Sequence, residues 1–165
     1  MLKRTIGPPL YQRGYDILSL VGETVAPLGR HILIIGGKTA LAVTSDELVA
    51  SLEQAGLLIV GMEWYGGQCG WNNVHKLSAI AREKRAQCLV GVGGGRALDT
   101  VKAVAFSSEL PLVTVPTIAA TCAAWTPLAA IYDDDGKYLE FSRKAALPQA
   151  VIADTKIIAE APLTH

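Results

Sequence analysis

Short apolar runs alternate with longer amphipathic stretches along most of this chain. His31–Ile35, Leu57–Val60, Cys88–Val92 and Leu112–Val115 are four or five residues long and rich in branched side chains. Glycine or proline bounds them, and the pattern predicts buried strands. Between them, Ala40–Ala55 and Asn72–Lys84 carry helical spacing. In the second helix Val74, Leu77, Ile80 and Ala81 share one face, with Lys76, Arg82 and Lys84 on others. Gly56 stands where a C-cap closes the first helix, and Asn72 or Asn73 where an N-cap opens the second. Strands alternating with helices of this length predict a Rossmann-like α/β fold: a parallel, doubly wound sheet with right-handed crossovers.

The pattern changes after Pro116. Leu128–Tyr132 and Lys137–Phe141 flank Asp133-Asp134-Asp135-Gly136, whose Asp-Gly pair favours a hairpin turn. The three aspartates lack the spaced ligands and distal glutamate of an EF-hand calcium loop, and read as a solvated hairpin tip. Gln149–Ala153 is a last strand leading into a short helix, Thr155–Glu160. No repeat, low-complexity tract or linker divides the chain.

Composition narrows the function classes. Half the residues are hydrophobic and 18% are charged, which argues against disorder. Fifteen basic residues balance fifteen acidic ones, so no overall field steers the protein toward nucleic acid or a membrane surface. The N-terminus lacks the apolar core of a signal peptide, and no apolar run approaches the ~18 residues of a membrane span. The expectation is a soluble, cytoplasmic protein. Cys69, Cys88 and Cys122 are too few and too scattered for a disulfide framework or a thiolate metal site. His31, His75 and His165 offer no i, i+4 pair and read as surface residues.

The most informative segment runs from Val90 to Lys102: Val-Gly-Val-Gly-Gly-Gly-Arg-Ala-Leu-Asp-Thr-Val-Lys. A buried strand enters Gly93-Gly94-Gly95, and a helix follows at once. Glycines can adopt positive φ and let a ligand lie against the backbone. The helix start adds unpaired N–H groups and the positive end of its dipole, which suit a pyrophosphate. Asp99 and Lys102 lie three apart and share one side of the helix, as ligand contacts or as an ordinary surface pair. The triple glycine alone is a weak signal, and it is not the G-x-G-x-x-G fingerprint of the common dinucleotide fold.

With its neighbours the segment becomes recognisable. G-G-G-x-x-x-D-x-x-K, followed by a strand ending in Val115-Pro116-Thr117, resembles the iron-containing alcohol dehydrogenase and glycerol dehydrogenase superfamily. The similarity runs from about Tyr11 to the end and is densest from Val90 to Tyr132. Ala153-Asp154-Thr155-Lys156-Ile157-Ile158 and Ala161-Pro162 look like that family's interdomain segment. The resemblance implies a cofactor-binding domain over residues 1–160, with 161–165 opening the connection to a helical domain absent from this chain. It implies that Gly93, Gly94, Gly95 and the backbone of Arg96 hold the pyrophosphate of NAD or NADP, with Asp99 in the family's aspartate position. It brings Thr117, Ala120, Thr126, Leu128 and Tyr132 to the nicotinamide half, although Leu128 and Tyr132 also suit ordinary strand packing.

Three departures from the family pattern carry information. Arg96 replaces the usual lysine, which keeps the charge and changes the donor geometry. Cys122 stands where glycerol dehydrogenases place a substrate-contacting aspartate, so an acceptor for polyol hydroxyls is lost. The string Ala119-Ala-Thr-Cys-Ala-Ala-Trp-Thr-Pro127 resembles the branch that reduces 2-oxo acids to hydroxycarboxylates. Cys122 is thus a substrate contact or merely a small buried residue. After Ile32–Ile35 the chain reads Gly36-Gly37-Lys38-Thr39, without the carboxylate that selects NAD, so Lys38 attracts a 2′-phosphate or is simply solvated.

The resemblance further implies Zn or Fe held by one aspartate and two or three histidines beyond His165, leaving this chain without catalytic or metal-ligating residues. It implies an alcohol or 2-oxo acid substrate and a homo-oligomer when full length. Two other readings stay open: a stand-alone nucleotide-binding module without chemistry, and a relative of dehydroquinate synthase.

Overall fold

The computed structural model describes residues 7–162. Ala161 and Pro162 of the expected connection fall within that range; the rest of it, His165 included, lies outside. Strands β1 (Leu10–Gly14), β2 (His31–Gly36), β3 (Leu58–Trp64), β4 (Cys88–Gly93), β5 (Leu112–Pro116) and β8 (Ala150–Asp154) form one sheet in the order β1-β8-β5-β4-β2-β3. Every pair in it is parallel. Strands β6 (Ala129–Tyr132) and β7 (Tyr138–Ser142) make a separate antiparallel hairpin, as the Asp-Gly turn predicts. Helices α1 (Val21–Val25), α2 (Lys38–Gln54), α3 (Trp71–Glu83), α4 (Gly95–Ser108) and α5 (Thr155–Ala159) complete the fold, with a 3₁₀ turn at Leu18–Leu20. No described helix is long and apolar enough to cross a membrane.

Side chains on β2 alternate between the two faces of the sheet, and both faces are covered. Ile32 and Ile34 pack with Val90, Val92, Leu48 and Leu52. Leu33 and Ile35 pack with Leu89, Val74, Leu77 and Val101. This two-sided burial is why β2 and β4 read as continuous apolar runs, each fully buried aliphatic contributing about 1.5–3 kcal/mol.

The order of strands also locates a crevice. From β4 the chain crosses through α4 to β5 on one side, whereas from β2 it crosses through α2 to β3 on the other. The connections that leave the carboxyl ends of neighbours β4 and β2 therefore run in opposite directions, which makes this the topological switch point where open α/β sheets bind ligands.

Several local expectations need correction. The run beginning at Leu57 is not a buried strand: β3 is an edge strand reaching Trp64, with Leu58 58% exposed. Strand β1 and helix α1 escape a periodicity search, because β1 is half polar and α1 has only five residues. Neither Asn72 nor Asn73 caps α3, which starts after an extended Gly70. Asn72 donates instead to Asp134 on the hairpin tip (2.8 Å), and Asn73 to the Gln68 carbonyl (2.8 Å). Helix α2 begins before the expected Ala40, with Lys38 at its first position.

Gly56 closes α2 as expected. Its φ is +72°, its N–H donates to the Glu53 carbonyl at 2.9 Å, and Leu57 N–H donates to Leu52 at 3.0 Å. That pair of bonds is a Schellman motif. At the other end of the chain, buried Asp154 organises backbone from two distant segments. Its carboxylate accepts from the N–H groups of Asp16 (3.1 Å), Ile17 (2.6 Å), Leu18 (3.2 Å) and Lys156 (2.9 Å). It thereby caps α5 and fastens the segment after β1 to the end of β8.

Candidate cofactor groove

Two glycine turns form the floor of the crevice. Gly36-Gly37 lead β2 into α2, and Gly93-Gly94-Gly95 lead β4 into α4. The first turn is bonded to the strand that enters the second: Gly37 N–H donates to the Val92 carbonyl at 3.2 Å. On the other flank, Thr117 N–H donates to the Gly93 carbonyl at 3.1 Å, placing the Pro116-Thr117 turn beside the loop. Of the three consecutive glycines, Gly93 alone has a left-handed backbone, with φ +144°. Gly94 has φ −88°, so its lack of a side chain serves space rather than conformation.

Above this floor lie two grooves sharing Gly95 and Arg96. The first, of about 640 Å³, is lined by Gly37, Lys38, Thr39, Trp64, Tyr65, Gly94 and Thr117 among others. The second, of about 470 Å³, is lined by Asp99, Thr121, Cys122, Thr126, Leu128, Ala130 and Tyr132 among others. Each volume falls in the range of small-molecule sites, and together they form an elongated trough running across the N-terminus of α4. A smaller cavity of about 200 Å³ adjoins the first groove through Thr39, Ala40, Thr117 and Ile118, and reaches Ile157 and Pro162.

Most of the residues singled out in the sequence meet along this trough. Lys38 is exposed and its Nζ sits 4.3 Å from the centre of the Trp64 ring, a cation–π contact. The Arg96 guanidinium sits 5.5 Å from the Tyr132 ring in the same manner. Gly93 is buried beneath the turn, while Gly94 and Gly95 face the space above it. Thr126 and half-exposed Leu128 line the second groove, so Leu128 is not a strand residue packed in the core. Ala120 does not belong to either groove's lining and lies exposed on the loop between Ile118 and Thr121.

One side falls away from each of two alternatives that the sequence leaves open. Cys122 is exposed in the second groove, not a small buried residue. Asp99 and Lys102 are not a surface pair: Lys102 is fully buried, and its Nζ lies 2.8 Å from Asp99 Oδ1. The other two cysteines are buried, and desolvation pushes Cys69 up to about 11 and Cys88 to about 12. Both are therefore inert thiols at neutral pH. Burial also raises Tyr65, against the charge of nearby Arg96.

Sequence reasoning misses Trp64, Tyr65 and Thr121. Trp64 and Tyr65 are found only by extending β3 to the switch point, because no glycine or motif marks the strand's end. Thr121 lies in an irregular loop, yet a Cβ on Gly95 would stand 3.1 Å from its Oγ1. Among the described residues no group of three His, Cys, Asp or Glu comes together to hold a metal ion.

Comparison with known proteins decides the family. A model of the iron-containing alcohol dehydrogenases matches residues 8–155. The chain belongs to that family. It is 36% identical over 155 residues to a glycerol dehydrogenase of Escherichia coli O6:H1, an alignment covering 94% of this chain and 42% of that protein. It is 39% identical over 128 residues to hydroxycarboxylate dehydrogenase A of Escherichia coli K12, covering 78% of this chain and 34% of the relative. The crystal structure of a probable glycerol dehydrogenase from Sinorhizobium meliloti 1021 superposes with a TM-score of 0.87 at 30% identity, over 98% of this chain and 43% of that one. The chain thus spans less than half the length of these family members.

Proposed function

We propose that the trough binds a nicotinamide dinucleotide and that the protein is an NAD(P)-dependent oxidoreductase, interconverting an alcohol or 2-hydroxy acid with its carbonyl form. The observation that carries this reading is the pair of grooves meeting at Gly95 and Arg96, at the switch point of a family member. A dinucleotide has two halves joined by a pyrophosphate, and the trough has two lobes joined at a helix N-terminus. The pyrophosphate rests against Gly94, Gly95 and the N–H groups that open α4. The nicotinamide half occupies the second groove, against Asp99, Thr126, Leu128 and Tyr132, with Thr117 at the junction. Bound there, the nicotinamide supplies or accepts a hydride.

The adenosine half lies toward Lys38 in the first groove. No carboxylate lines that groove, so nothing in it repels a 2′-phosphate, and Lys38 supplies a cation for one. The cofactor assigned on this basis is NADP in preference to NAD. Cys122, exposed where the trough widens, offers a weak hydrogen-bonding group to substrate in place of a carboxylate, which disfavours polyols. The substrate class is therefore a 2-oxo acid and its hydroxy form, not glycerol. No step is assigned to a metal, since the described residues form no ligand set. Within this reading, residues 1–160 are the cofactor-binding domain.

The test is titration of the full-length protein with NADPH and NADH, followed by turnover with 2-oxo acids, short alcohols and glycerol at the NAD(P)H absorbance band. Tighter NADPH binding and faster 2-oxo acid reduction are expected. A preference for glycerol overturns the substrate assignment, and failure to bind either nucleotide overturns the site.

A further inference from the structure

Lys102 lines neither groove. Lys102 emerges from α4 beneath the second groove and is fully buried. An ammonium has three N–H donors, and here three acceptors surround it. They are Asp99 Oδ1 at 2.8 Å, the Thr126 carbonyl at 2.9 Å and the Leu128 carbonyl. The second oxygen of Asp99 accepts from Ala130 N–H at 3.0 Å. One ion pair on consecutive turns of α4 thereby holds Thr126, Leu128 and Ala130 by their backbone. The same three residues line the second groove.

The choice of a charged residue has a physical reason. Thr126–Leu128 precede β6 and have no ladder partner, so carbonyls turned inward there need a donor from elsewhere. An apolar side chain of equal volume would fill the space and leave both carbonyls unsatisfied. Lysine reaches them from the helix, and Asp99 balances its charge.

We propose that Lys102 is a positioning residue for the nicotinamide half: it latches the Thr126–Ala130 wall to α4, so that the helix presenting the pyrophosphate site also sets the width of the nicotinamide groove. The proposal rests on the groove being a nicotinamide site. Its signature is selective, because a latch on one lobe alters binding of one half of the cofactor. A general loss of structure weakens both halves alike.

The experiment compares NADPH with 2′-phospho-ADP-ribose, and NADH with ADP-ribose, each pair differing only in the nicotinamide. Titrations use the full-length protein and its Lys102→Met variant. The variant is expected to bind the nicotinamide-bearing ligands about ten-fold more weakly while the ADP-ribose ligands change by less than about three-fold. Equal losses for both overturn the latch. A wild-type protein that gains nothing from the nicotinamide overturns the groove assignment and the latch with it. If Lys102→Met does not fold, Lys102→Gln keeps an amide donor toward the carbonyls and is expected to show the same selectivity in weaker form. Hydrogen exchange of the unaltered protein supplies a reading without any variant: the Ala130 amide is protected whether or not cofactor is bound. Rapid exchange there overturns the proposal.

Discussion

The chain leaves the sheet through glycine twice at the crevice, from β2 at Gly36-Gly37 and from β4 at Gly93-Gly94-Gly95. Both turns open a helix, and both set a cation of the first turn over an aromatic ring, Lys38 over Trp64 and Arg96 over Tyr132. Their glycines nevertheless answer different demands. At the first turn a Cβ on Gly36 would stand 2.6 Å from the Val92 carbonyl oxygen, so glycine is required by the packing of one strand on its neighbour. Gly37 has an ordinary extended backbone (φ −73°, ψ 147°), and a Cβ there would meet nothing nearer than 3.8 Å. At the second turn Gly93 needs its left-handed conformation, and Gly94 borders the trough with only the tip of Ile118 near its missing Cβ, at 2.7 Å. Similar glycine punctuation thus marks a packing constraint in one place and an access constraint in the other.

Substitutions can break this contrast, and the largest effect is expected at Gly94. A valine there is compatible with the backbone, and the Ile118 tip can shift, but its branched side chain fills space above α4. Gly94→Val is expected to weaken NAD(P)H binding by about 100-fold or more, roughly 3 kcal/mol, with an unchanged circular dichroism spectrum. Near-normal affinity in the folded variant would remove the loop from the phosphate site. Gly36→Ala acts on stability instead. Forcing a methyl against backbone costs roughly 1–3 kcal/mol, measured as a lowered denaturation midpoint. Should Gly36→Ala match the wild type, the two strands are not packed as tightly as described.

Smaller effects sharpen the comparison. Lys38→Asp replaces the cation of the first turn by a carboxylate, and is expected to shift the kcat/KM ratio toward NAD by about ten-fold or more. An unchanged ratio would leave Lys38 as a solvated residue parked on Trp64. Gly37→Ala should change stability by less than about 0.5 kcal/mol, since neither its φ nor its surroundings exclude a methyl group. A large loss at Gly37 would show that this turn, like the other, depends on bare backbone.

How much of this was legible in the sequence follows from where the signals are local. Strands β2, β4 and β5 are buried on both faces, so their apolar runs stand out from the flanking helices. The Gly-Gly-Gly loop and the Asp135-Gly136 turn are equally local, because their backbone demands fall on the residues themselves. Edge strand β3 has the apolar run of a buried strand, yet its start at Leu58 faces solvent, a consequence of strand order that periodicity does not carry. Trp64 and Lys38 come together only because β3 lies beside β2. For Lys102 the sequence offers a ligand contact or half of a surface i, i+3 pair, since nothing in its vicinity indicates that a loop 24 residues later will cover it. Charged residues at helical spacing are usually solvated, and only the tertiary path of Thr126–Ala130 reverses that expectation here.

The Asp154 carboxylate ties the segment after β1 to the end of β8, and so bears on the order in which the molecule assembles. Among the described residues strand β1 finds its ladder only on β8, and the bond from Ile17 N–H to Asp154 spans 137 residues of sequence. Closing a loop of that length costs about 4 kcal/mol of chain entropy before any contact repays it, so β1 is expected to dock on a sheet already built from β2 to β8. Contacts made after the rate-limiting step affect escape from the native state more than arrival at it. Asp154→Ala is therefore expected to steepen neither arm of a chevron plot, but to raise the unfolding limb while the folding limb stays nearly in place. The amides of Asp16, Ile17 and Leu18 would be among the last to gain protection as the chain folds.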